Sequence, residues 1–138
     1  MNPSHFACTN NLFRKIKSDY PNLIFKIGKK FTFRPPKTII IEPQNPNFDL
    51  LLLHELGHAT LKHQSFKTDI ERLKIESAAW EQAEQLAKTF NIAFDNDFAQ
   101  NQLDSYRNWL HQKSRCKKCG LTRFQTPDGK YHCPNCNN

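Results

Sequence analysis

The spacing of apolar positions changes along the chain, and each change marks a predicted element. Leu12, Phe13 and Ile16 recur at helical spacing between Asn10 and Tyr20, with Lys15, Lys17 and Asp19 facing solvent and Pro21 as a stop. Leu23 to Ile27 then reads as a strand, Gly28-Lys29-Lys30 as a turn, and Phe31-Thr32-Phe33 as a second strand by its alternation. Beyond Pro35-Pro36, the β-branched run of Lys37 to Glu42, with Ile39, Ile40 and Ile41, predicts a third strand. Together these predict a small antiparallel sheet. Pro43 and Pro46 bracket a loop, after which helical periods take over. Helices are expected over residues 47 to 63, 69 to 90 and 102 to 111, with an irregular link at 91 to 101. Thr68 and Asp69 stand where the second of these needs its cap. The fold class expected is α+β, a small sheet packed on helices.

Residues 113 to 138 change character. Cys116-Lys-Lys-Cys119 and Cys133-Pro-Asn-Cys136 are two C-x-x-C knuckles, with Gly120 and Pro127-Asp128-Gly129 providing turns between them. Four thiolates so spaced form a closed tetrahedral site, and a structural zinc ribbon is expected here. So short a segment has too little core to fold alone, so its metal binding is its folding energy. The domains expected are therefore 1–112 and 113–138. His132 beside Cys133 reads as a neighbour, because four sulfurs suffice.

A second metal signal lies in the first of the three later helices. His54-Glu55-Leu56-Gly57-His58 is an H-E-x-x-H sequence. Positions i and i+4 share a helix face, so His54 and His58 can put two imidazole nitrogens on one ion, with Glu55 beside it as a general base. An open site needs a third protein ligand. The next helix carries an apolar stripe of Leu73, Trp80, Ala83, Ala87 and Phe90, and its spacing closes only if Glu76 belongs to it. At about 100° per residue Glu76 falls near the centre of the stripe, whereas Glu71, Glu81 and Glu84 fall roughly 90° or more away. A carboxylate facing a core is costly unless paired or metal-bound, which makes Glu76 the expected third ligand. His63 leaves the ligand face if the helix continues, and no glycine stands between it and His58 to turn the chain, so it reads as a surface residue or a neighbour of the ligands. Asp104, Tyr106 and His111 are further candidates to orient a ligand or stabilise charge, and spacing does not select among them.

The totals narrow the function classes. The 138 residues carry a formal charge of +7, a mild basic bias short of a dedicated nucleic-acid protein. Met1 to Phe13 lacks the basic-then-apolar pattern of a signal peptide, and no apolar run approaches membrane-span length, so a soluble cytoplasmic protein is expected. Of five cysteines only Cys8 is left outside the knuckles, which argues against a disulfide scaffold. The ribbon's Lys113, Arg115, Lys117, Lys118, Arg123 and Lys130 against Asp128 offer a surface for nucleic acid or an acidic partner.

His54-Glu-Leu-Gly-His58, followed by Glu76-Ser-Ala-Ala79-Trp80-Glu-Gln-Ala83, resembles the ImmA/IrrE-type metallopeptidases, a compact gluzincin group. The resemblance covers roughly residues 20 to 92. It implies a small sheet on the H-E-x-x-H helix, zinc on His54, His58 and Glu76, Glu55 as general base, and endopeptidase activity toward a protein substrate, often a transcriptional repressor. Two features depart from that family. Trp80 stands where related gluzincins often carry Asn or Asp, and a C-terminal ribbon is not a standard part. A ribbon after H-E-x-x-H is similar to the SprT-like proteases that act on DNA-bound protein, but those use a third histidine. The function expected is a zinc endopeptidase with one catalytic and one structural zinc. The alternatives are a binding module that uses the ribbon, or a SprT-like protease.

Overall fold

Asn10 opens the first helix, α1 (Asn11–Asp19), by accepting the Phe13 N–H at 2.8 Å, and α1 ends just before Pro21. The computed structural model from which the fold is read describes residues 10–136. Leu12, Phe13 and Ile16 are all buried, as their spacing predicts. Three strands follow: β1 (Ile24–Ile27), β2 (Thr32–Arg34) and β3 (Thr38–Ile41). Their order is β1-β3-β2, with β3 parallel to β1 and antiparallel to β2. The sheet is thus mixed, which corrects the expectation of an antiparallel one. Ile39, Ile40 and Ile41 are all buried, and a run apolar on both faces belongs in the centre of a sheet. β3 therefore takes the middle, and β1 cannot pair with its chain neighbour β2.

The second helix, α2 (Phe48–Thr60), packs against this sheet, chiefly on β2. Leu52, Leu53 and Leu56 are fully buried. Edge-to-face ring pairs join the elements: Phe13 meets Phe25 at 5.1 Å and Phe48 at 6.2 Å between centroids, and Phe31 meets Phe48 at 5.3 Å. Each such pair adds about 0.5–1.5 kcal/mol beyond the area it buries.

The third helix, α3 (Asp69–Thr89), starts where expected. Thr68 Oγ1 accepts the Glu71 N–H at 3.3 Å, and the Glu71 carboxylate accepts the Lys67 N–H at 2.9 Å. Asn91 ends it in the left-handed region, at φ 57°. The fourth helix, α4 (Asn96–Ser114), begins six residues earlier than the pattern suggests, so the expected link shrinks to a short turn. Asp95-Asn96-Asp97 looks like loop composition, but Asp and Asn are equally favoured at helix starts, and Ala99 and Leu103 continue a buried face from there.

The last strands, β4 (Phe124–Gln125) and β5 (Tyr131–His132), form an antiparallel hairpin, with Gly129 at φ 88° in its turn. The chain gathers into two compact units. One holds the residues up to Gln64 together with Ala78–Asp95; the other holds Ser65–Ser77 together with Asn96 onward. The cysteine hairpin thus groups with α4 and the start of α3. Asp69 anchors it there: its N–H donates to Gln125 Oε1 at 2.6 Å, and its carboxylate accepts from Tyr131 Oη at 2.7 Å and from Lys113 Nζ at 2.9 Å. Among the described residues, no helix is long and apolar enough to cross a membrane.

Candidate metal centres

His54, Glu55 and His58 lie on α2, each only 6% exposed. One ligand atom from each comes within 4.8 Å of the others, so the structure brings these three predicted residues together. The His54 and His58 Nε2 atoms are 3.1 Å apart. Two nitrogens on one tetrahedral ion at about 2.0–2.1 Å would stand roughly 3.3 Å apart, so the pair fits a shared metal with little adjustment.

Each ring has an aromatic backing. Trp80 stacks on His54 with centroids 4.3 Å apart, and Phe94 packs on Trp80 at 6.3 Å. Trp80 thus covers one face of the His54 ring. Phe33 lies parallel to the His58 ring, 6.1 Å away with planes 5° apart. The place of Phe33 against His58 is not legible in the sequence, because it sits on a strand whose register against α2 no local period reveals.

His63 returns to the site. α2 stops at Thr60, and Lys62 adopts a left-handed φ of 56°, so the chain reverses without a glycine. The His63 N–H donates to the His58 carbonyl at 3.0 Å, and its Nδ1 meets His58 Nδ1 at 2.9 Å. This engages the His58 nitrogen that points away from His54 and leaves Nε2 facing it. His63 is thus a neighbour of the histidine pair, oriented toward it.

The helices approach closely here. A Cβ on Gly57 would lie 2.6 Å from the Ala79 carbonyl oxygen, so the glycine inside the H-E-x-x-H sequence is what lets α2 and α3 meet. Gln82 Nε2 donates to Thr60 Oγ1 at 3.2 Å one turn further along. Glu76 lies on α3, one turn before Trp80 and on the same side of the helix. It is half-buried, while Glu71, Glu81 and Glu84 are exposed.

Of the remaining candidates, Asp104 pairs with Arg107 at 3.0 Å on the surface of α4, and His111 is exposed. Tyr106 faces the Arg72 guanidinium at 5.1 Å. Cys8 lies outside the described residues.

The four knuckle cysteines form the second cluster, again within 4.8 Å of one another. Cys116 and Cys136 Sγ are 3.9 Å apart, and Cys119 and Cys133 Sγ 3.5 Å. Sulfurs at about 2.3 Å from one tetrahedral ion would be roughly 3.8 Å apart, so this donor set fits a closed metal-thiolate centre. Backbone N–H groups of Cys119 and Lys118 pull the Cys116 thiol down to about 6. The hydrogen bond with Cys119, burial and the other sulfurs push Cys136 up to about 12. The protein therefore stabilises the thiolate at Cys116, and ionising Cys136 calls for a cation. His132 turns away from the sulfurs, toward the Phe124 ring at 5.5 Å and Thr126 Oγ1 at 3.3 Å.

Compared with protein-family models, curated proteins and solved structures, the chain matches none.

Proposed function

We propose that the chain is a zinc-dependent endopeptidase, with its catalytic ion on α2 and a structural zinc in the cysteine ribbon. The observation that carries this reading is the pair of buried histidines whose Nε2 atoms stand 3.1 Å apart beside the Glu55 carboxylate. Two imidazoles and a carboxylate suit zinc, and Glu76 is the proposed third ligand, on the strength of its place in the α3 stripe. A zinc ion held there supplies Lewis acidity, acidifying water and polarising the scissile carbonyl. Glu55 then takes the proton of the attacking water and returns it to the leaving amine. Burial of Glu55 favours that exchange over loss of the proton to solvent. His63 holds His58 in one orientation, and Trp80 and Phe33 prevent the two rings from turning.

Sheet topology supports an extended polypeptide as substrate. β3 is central, so Lys37 to Glu42 has no open edge to offer. β2 is at an edge and carries Phe33 against His58. A peptide that adds to Thr32–Arg34 by backbone pairing would therefore pass beside the ligand histidines.

The test counts metal and cleavage together. Protein purified without added metal should hold two zinc ions per chain, one for each cluster, and Glu76→Ala should hold one. Glu55→Gln should keep both ions and lose about 10²–10⁴-fold in cleavage of unfolded protein or a peptide library. A single ion unaffected by Glu76→Ala, or undiminished cleavage by Glu55→Gln, overturns the reading.

A further inference from the structure

The apolar positions of α4 do not all face a core. Tyr106, Trp109 and Lys113 share one side of the helix, at i, i+3 and i+7, and rings and cations alternate outward from them. The Arg72 guanidinium lies 5.1 Å from the Tyr106 ring, 5.2 Å from Trp109 and 5.7 Å from Phe66. The Lys113 ammonium stands 4.9 Å from Trp109 and 5.8 Å from Tyr131, and Arg123 lies 5.0 Å from the far side of the series at Tyr131. Significant cation–ring pairs occur about once per 70–80 residues. Here one compact unit, shorter than that interval, holds three cations so placed.

Internal cohesion does not account for the whole series. Phe66 remains 44% exposed and Trp109 36% exposed, so neither ring is enclosed by its cationic neighbours. Lys113 keeps 45% of its side chain exposed even while paired with Asp69. Arg115, Lys117 and Lys118 follow on the first knuckle, all exposed, and a shallow hollow there is lined by Gln112, Arg115, Lys117 and Gly120. Partly exposed rings interleaved with cations, of which the knuckle lysines are exposed, are complementary to a ligand with flat π-faces on an anionic backbone.

We propose that this series of rings and cations is a binding surface for single-stranded nucleic acid, with unpaired bases stacking on Trp109 and Phe66 and phosphates meeting Arg72, Lys113 and the knuckle lysines. Bases locked in a duplex cannot offer their faces to these rings, so a single strand is the occupant the chemistry selects. Stacking and phosphate pairing read no base edge, so recognition is tolerant of sequence. The inference does not depend on the peptidase reading.

The probe is a fluorescein-labelled thymidine oligonucleotide, titrated by anisotropy into the full-length, zinc-loaded protein, with its duplex form and an acidic peptide as competitors. The single strand should bind about ten-fold or more tightly than either competitor. Trp109→Ala should weaken it roughly ten-fold or more, and Trp109→Phe, which keeps a ring, should restore most of the affinity. The double change Lys117→Gln, Lys118→Gln should make the logarithmic salt dependence shallower by about 0.7 for each phosphate contact removed. Absence of binding, equal binding of single strand and duplex, a preference for the acidic peptide, or a Trp109→Ala protein that binds like wild type each overturns the proposal. A loss in Trp109→Ala that Trp109→Phe does not repair overturns it too, because the ring would then serve folding alone.

Discussion

His58 is held on both sides of its ring: Nδ1 meets His63 and the flat face meets Phe33, with Nε2 left to face His54. A neutral ligand histidine gains from a hydrogen-bond partner on the nitrogen it does not use for metal, because that fixes tautomer and aim together. With zinc on the helical site as proposed, His63→Ala should therefore weaken its binding about 10- to 100-fold, read by competition with a chromophoric chelator. The ribbon's ion should be unaffected, and an unchanged affinity at both sites would remove His63 from this role. The pairing of His54 with His58 is legible in the sequence, because a five-residue window on a helix has only one geometry. For His63 the sequence leaves surface and neighbour readings open, because its place depends on whether the helix continues past Thr60. A lysine in the left-handed region, at φ 56°, turns the chain where a glycine would be expected.

At the scale of elements, the cysteine hairpin is tied to the first turn of α3 through Asp69. Burial alone would raise the Asp69 pKa, but hydrogen bonds from Tyr131 and Lys113 and the charges of Lys113 and Arg72 outweigh it and hold the carboxyl below its usual range. The folded state thus favours the ionised form. Its contribution to stability is full above the ordinary carboxylate pKa and is lost as pH falls through the lower, folded value. Partial burial and the hydrogen bond to that carboxylate push Tyr131 up to about 12. Its contribution runs the other way, full below the unfolded tyrosine value of about 10 and lost as pH rises toward the folded one. Asp69→Asn should cost about 1–3 kcal/mol and flatten both limbs of the stability profile, measured by thermal melts across pH. Retention of the acid limb in that variant would place its origin elsewhere. α1, α2 and α3 were readable from periodicity to within a few residues. The sheet's direction was not, because which strand sits in the middle is decided by pairing across the chain, and only the triple isoleucine hinted at it. The start of α4 was hidden because loop and helix-start compositions are alike.

For the molecule as a whole, the sequence pointed to metal donors on a helix and in a hairpin, and the structure gathers His54, Glu55 and His58 in the one and the four cysteines in the other. Their chemical types were legible because ligand spacing follows from covalent chain geometry. The grouping of segments was not legible: α3 contributes its first turns to one compact unit and the rest to the other, so no boundary in composition marks the division. The series of rings on α4 is not legible for a related reason, since Arg72, the cation shared by Tyr106 and Trp109, lies far away in the chain. The close approach at Gly57 has a consequence for genetics. The atom in the way of any side chain there is the carbonyl oxygen of residue 79, which every amino acid possesses. A Gly57→Ala defect should therefore yield no suppressors at position 79. Second-site revertants would instead come from residues that set the spacing of the two helix backbones, so Gly57 should tolerate no partner-compensated drift.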